Sequence, residues 1–160
     1  SSTFSAQLAA QMGLPYAFAS HFAPNLLIEA LDIYQNQFKI SSQLANPYSM
    51  AAVNVIIGDT NEEAEKLATS MKMFFLNVVR RDRNPLNPPT DRMDEVWNPL
   101  EKAQVEQMLY FSFVGDKEKV EKQLNGFVRQ TGVDELIVVS YIYDHNKRLK
   151  SYQSLSELNI

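Results

Sequence analysis

The chain has no cysteine, which excludes a disulfide framework, thiolate catalysis and cysteine-ligated zinc or iron–sulfur centres. Histidine is nearly absent too. The two present, His21 and His145, stand far apart, and with HExxH, CxxC and EF-hand patterns missing, no metal site is expected. There are only five glycines, and none forms part of a GxGxxG, Walker or GxSxG motif. Basic charge is not in excess: 15 Lys and Arg against 19 Asp and Glu leave a net charge of −4, so nucleic acid is not an expected partner. No apolar run approaches the roughly 18 residues of a membrane-spanning helix, and the opening residues lack a basic segment followed by an apolar one. Membrane and export are therefore not expected, and the missing thiols suit a cytoplasmic location.

What is present is a chain with an ordinary globular share of apolar residues, 45% of 160. They fall into alternating strand and helix patterns. Tyr16 to Ser20 reads as a strand, and Pro24 opens a helix with Leu27, Ala30, Leu31, Tyr34 and Phe38 on one stripe. Ala51 to Ile57 is a nearly continuous apolar strand of the kind buried on both faces of a parallel sheet, with Asn54 its one polar interruption. Thr60 and Glu63 form an expected capping box for a helix whose stripe is Ala64, Leu67, Ala68, Met71, Phe74, Phe75 and Val78. Residues 84–98, holding Pro85, Pro88, Pro89 and Trp97, are too rich in helix breakers to be regular. A short helix over 102–109, an extended piece over 110–114 and a helix carrying Val120, Leu124, Phe127 and Val128 follow. Glu135 to Ser140 is the last strand, and Asp144 caps a final helix expected to turn Leu149, Tyr152, Leu155 and Leu158 inward. This βα alternation predicts an α/β fold with about three parallel strands, in one unit spanning residues 1–160.

The opening stretch carries the chemistry. Ser1, Ser2, Thr3 and Ser5 lie before or within the first turn of a helix in which Phe4, Leu8 and Met12 recur on one face, and Gly13 and Pro15 end it. Hydroxyls at a helix N-terminus serve equally as simple caps and as additional donors to an anion attracted by the free N–H groups and the dipole. Elsewhere the bland readings lead. Arg80, Arg81 and Arg83 sit at a helix C-terminus that favours cations, His145 is structural, and Met71, Met73, Phe74 and Phe75 are core. Tyr141 and Tyr143 are open to either packing or a pocket border.

The run SSTFSAQLAAQMGLPYAFASHFAP (Ser1 to Pro24), with FVGDKEKVEKQL (Phe113 to Leu124) and DELIVVSYIYDHNKRLKSYQSL (Asp134 to Leu155), resembles the bacterial luciferase-like flavin monooxygenases. The resemblance implies the C-terminal part of a (β/α)8 TIM barrel, because a complete barrel takes about 250 residues. It further implies a monooxygenase that oxidises an organic substrate such as an aldehyde with oxygen and reduced FMN, a deazaflavin being the other cofactor it allows. A flavin reductase is an implied partner, and the open sheet implies a homo-oligomer or association with the remainder of the barrel. A non-catalytic flavin-binding or partner-binding relative is the alternative. By the same resemblance Ser2 and Ser5 would contact the flavin phosphate, Ser1 would lie beside them, and Ser20, with His21 next to it, would border the ring. The family's histidine base belongs to the early part of the barrel, so no catalytic residue is assigned in this chain.

Overall fold

The computed structural model describes residues 2–160; Ser1, one of the hydroxyl residues singled out above, lies outside them. Four parallel strands form one sheet: β1 (Tyr16–Phe18), β2 (Ser49–Ile57), β3 (Ser112–Gly115) and β4 (Glu135–Val139). Seven helices accompany them: α1 (Thr3–Met12), α2 (Leu27–Gln37), α3 (Asn61–Arg80), α4 (Met93–Val96), α5 (Pro99–Met108), α6 (Lys117–Thr131) and α7 (His145–Ser156). The strand count exceeds the expected three because 110–114, read as merely extended, supplies β3.

β2 is the hub because its sequence can be buried from both sides. Val53, Val55 and Ile56 are essentially inaccessible, each contributing about 1.5–3 kcal/mol of apolar burial. Met50 and Ala51 pair with both β1 and β4, which therefore occupy opposite edges of β2. Asn54 pairs with both β3 and β4, so β3 continues on the β1 edge, beyond the point where β1 has ended. Among the described residues the outer edges of β1 and β4 have no partner strand.

Alternation along β2 sorts the helices onto two faces. Ala51, Val53, Val55 and Ile57 join α1, α2 and α6 in one cluster, whereas Ile56 joins α3, α5 and Ile142 in another. The α3–α5 excursion thus covers the upper part of the second face. The lower part is bare, with Ile137 41% exposed.

Local rules explain the element ends. Gly13 ends α1 at φ 62°, and a Cβ there would also meet the carbonyl oxygen of Lys39 at 2.4 Å. Gly58 is required by contact: a Cβ would lie 2.7 Å from the backbone nitrogen of Ala64, where α3 begins. Thr60 caps α3 as expected, accepting from the Glu63 N–H at 3.2 Å. The return bond of the expected box lands one residue earlier, from the Asp59 N–H to Glu63 Oε2 at 2.7 Å. α5 starts at Pro99, earlier than expected, because Asn98 and Glu101 form a capping box around it.

One helix turns its large apolar row outward, and another keeps its expected inward face only in part. Ala6 and Ala10, not the large residues, form the buried side of α1, and Phe4, Leu8 and Met12 are 71%, 49% and 56% exposed. Small side chains let α1 lie close to α2, to which Lys39 N–H ties it through Ala10 O at 2.9 Å. In α7 and just beyond it, Leu155 and Leu158 pack against the core as expected while Leu149 and Tyr152 are exposed, and the buried position is Ser151, whose Oγ accepts from the Ile57 N–H at 2.9 Å, on the β4 edge of β2 above the last β4 pair.

Candidate functional site

Parallel strands send all their C-terminal ends the same way, and in such sheets ligands gather there. The β2 exit is committed to structure. Asp59 pairs with Lys150 and Glu63 with Lys147, clamping the start of α3 to α7. These pairings hold both carboxyls below their ordinary pKa, through the lysine hydrogen bond first in each case. At the β4 exit Tyr141 stacks on Phe74 with ring centroids 4.9 Å apart, the packing role of the two readings left open above, while Tyr143 stays exposed. Arg80 is held by Glu101 at 2.8 Å, its dominant contact; in return it lowers the Glu101 pKa to about 2. That removes Arg80 as a free phosphate ligand.

The N-terminus of α1 is less encumbered. Ser2 is the N-cap: its Oγ accepts from the Ser5 N–H at 3.2 Å, and Ser5 Oγ donates to Ser2 O at 2.8 Å. The two hydroxyl oxygens lie 3.3 Å apart. The Tyr16 hydroxyl donates to Ser2 O at 3.3 Å and so anchors the cap to β1; burial raises the Tyr16 pKa. The first turn contains no acidic residue. The N–H groups of Thr3 and Phe4, in the first turn of α1, have no intrahelical acceptor. Electrostatically this is a place for an anion.

Ser20 stands apart from that pair. It is wholly buried, and its Oγ donates to Ala52 O at 2.6 Å, stitching the β1 exit to β2. His21 packs edge-on against Phe22, and burial lowers its pKa. A residue that sequence reasoning passed over organises this turn. Asn54, fully buried, donates through Nδ2 to His21 O at 2.6 Å and to Ser112 Oγ at 3.1 Å, joining the β1 exit, β2 and β3. The signal was visible as the lone polar residue in an apolar strand. A cavity of about 300 Å³ lies among Pro24, Asn25, Ile28, Tyr110 and Phe111, and Ser2, Ser5 and Ser20 are not part of it. Among the described residues no cluster of three or more His, Asp or Glu side chains is placed to hold a metal, and no helix is long and apolar enough to cross a membrane.

Parallel strands joined through helices, with all their exits at one end, are what part of a (β/α)8 barrel presents, a class whose ligands sit at the strands' C-terminal ends. The chain belongs to the luciferase-like monooxygenase family, whose model matches residues 1–135. It is 48% identical over 153 residues to a luciferase-like monooxygenase of Escherichia coli (strain K12), covering 96% of this chain and 46% of that protein. Of solved structures, apo-MsnO8 superposes with a TM-score of 0.85 at 32% identity, over 98% of this chain and 48% of that one. The oxygenating constituent of 3,6-diketocamphane monooxygenase from Pseudomonas putida, in complex with FMN, shares the fold at a TM-score of 0.62 and 18% identity, over 96% and 44% of the two chains. The chain therefore spans about half the length of the relatives it matches.

Proposed function

We propose that the full-length protein is a flavin-dependent monooxygenase that oxidises an organic substrate, an aldehyde for example, using oxygen and reduced FMN. Residues 1–160 form one unit of its barrel and contribute part of the phosphate grip and part of the pocket wall. The observation that carries this reading is the first turn of α1, where two hydroxyls 3.3 Å apart and backbone N–H groups with no intrahelical acceptor meet with no carboxylate to repel an anion.

Ser2 and Ser5 hold the phosphate by turning their hydroxyl hydrogens towards it; each hydroxyl rotates freely enough to trade an internal acceptor for a charged one, which gives a shorter and stronger bond. Ser1 extends the same grip. Ser20, wholly buried with its hydrogen on Ala52 O, supports the β1 exit behind the ring end and does not touch the flavin. Bound reduced flavin supplies the electrons for oxygen activation, and the protein's part is orientation and exclusion of water. FMN fits this grip better than a flavin without phosphate; a deazaflavin carrying a phosphate fits the same turn. The working location is the cytoplasm, with a flavin reductase supplying the reduced cofactor.

The test is oxygen uptake by the full-length protein with a flavin reductase, FMN and a series of aldehydes. Aldehyde-dependent oxidation to the acid supports the reading. FMN binding without turnover on any organic donor would convert it to the second reading, a flavin-binding relative that has lost the reaction, and absence of flavin binding would remove both.

A further inference from the structure

Asn54 is the only polar residue between Met50 and Ile57, and it is completely buried. Burying a carboxamide costs stability unless its hydrogen bonds are remade. Here they are remade only in part: Nδ2 donates to His21 O at 2.6 Å and to Ser112 Oγ at 3.1 Å, while Oδ1 is buried without a partner. A leucine or valine in this strand would incur no such cost. The stability of β2 therefore does not account for an asparagine, and residues that go against their local pattern in this way mark functional or strained positions.

The bonds converge on one junction. His21 belongs to the turn that follows β1, Ser112 opens β3, and the Asn54 N–H also donates to Phe111 O at 3.2 Å. Asn54 thus fastens the β1 exit to the point where the chain returns from the α3–α5 excursion. The other bonds of the turn flank His21: Ser20 N–H to Phe18 O at 3.0 Å, Ala23 N–H to Ala19 O at 3.3 Å, and Ser20 Oγ to Ala52 O at 2.6 Å. Asn54 holds His21 itself, and the next residue, Phe22, is 46% exposed.

We propose that Asn54 is a positioning residue: through His21 O it pins the turn from Ser20 to Phe22 against β3, and so sets the wall of the site behind the flavin ring. The pin is read from hydrogen bonds of this chain alone, whereas the presence of a flavin ring in front of the turn rests on the flavin reading.

The experiment is amide hydrogen exchange, expressed as protection factors, on the full-length protein and its Asn54→Leu and Asn54→Asp variants, with parallel titrations by FMN and by riboflavin. Asn54→Leu is expected to lower the protection of the Ser20 and Ala23 amides about fivefold, the net contribution of one hydrogen bond, and to leave the middle of β2 unchanged. Asn54→Asp keeps the shape: its carboxyl donates to His21 O while neutral, as burial favours, and loses that bond when ionised, so protection of the two amides falls as pH rises. Unchanged protection in Asn54→Leu, an equal loss across the whole sheet, or identical behaviour of the Leu and Asp variants at every pH would overturn the pin, and the Asp series decides the matter if Asn54→Leu does not fold. In the titrations Asn54→Leu weakens FMN and riboflavin by the same factor, because the defect lies at the ring end. Unchanged affinities alongside reduced protection, or a loss confined to FMN, would overturn the ring-end role. Absence of any flavin binding by the unsubstituted protein would overturn the flavin reading and that role with it, and the exchange result would still decide the pin.

Discussion

At the scale of single residues, Ser2 has two separable duties. As an N-cap it satisfies the Ser5 N–H, and Ser2→Ala should lower stability by about 1 kcal/mol, measured by urea unfolding. Ser5→Ala leaves the cap oxygen in place and should cost less stability. His21 makes a prediction about pH. Its folded-state pKa is depressed, so between that value and the unfolded value of about 6.5 the unfolded chain binds a proton that the folded chain refuses. Stability should therefore fall as pH drops below about 6.5 and flatten once the folded pKa is passed. His21→Phe should remove this part of the pH dependence of the denaturation midpoint; an unchanged profile would show that His21 is not titrating in a buried site.

At the scale of elements, what the sequence could reveal depended on whether the deciding interaction was local. Caps are local, so Thr60, Asp116 and Asp144 sit where their spacing to the helix places them. The face of α1 is not local. Its sequence contains a large apolar stripe and a small one, and only the closeness of α2 selects Ala6 and Ala10 for burial. Likewise nothing in the short segment Ser112–Gly115 distinguishes a strand from an extended loop until β2 offers Asn54 to Ile57 as partners. The proposed phosphate grip could be suspected from its hydroxyls, whereas Asn54 could be noticed only as an oddity, because its partners lie 33 and 58 residues away. The end of α3 provides a further test. Arg81 adopts φ 61°, a left-handed conformation that favours glycine. Arg81→Gly should stabilise the protein, by about 0.5–1 kcal/mol, readable as a rise in the thermal midpoint. By contrast the exposed Lys66–Asp91 pair should matter little: Lys66→Ala is expected to change stability by less than about 1 kcal/mol.

At the scale of the molecule, three apolar features point outward together: the Phe4–Leu8–Met12 row of α1, the unpaired edges of β1 and β4, and the bare lower face that exposes Ile137. In a barrel each has an occupant, and unpaired edges are sites of association when it is missing. Residues 1–160 produced alone should sediment as an oligomer at micromolar concentration and return to a defined stoichiometric complex when mixed with the remainder of the barrel. A well-behaved monomer that ignores the other part would contradict the open-barrel description. The cavity among Pro24, Ile28 and Tyr110 lies away from the hydroxyls, and on the proposed reading the walls over Ser2 and Ser5 would come from the rest of the barrel.

The central claim is that the first turn of α1 recognises a phosphate. It is tested most directly by comparing the affinity of the full-length protein for FMN and for riboflavin, which differ only in that group, before and after the double substitution Ser2→Ala and Ser5→Ala. The account predicts that FMN binds at least about tenfold more tightly, the size of a charge-assisted hydrogen bond, and that the substitutions narrow the gap by weakening FMN alone. Equal affinity for the two flavins, or a gap that survives loss of both hydroxyls, would contradict it.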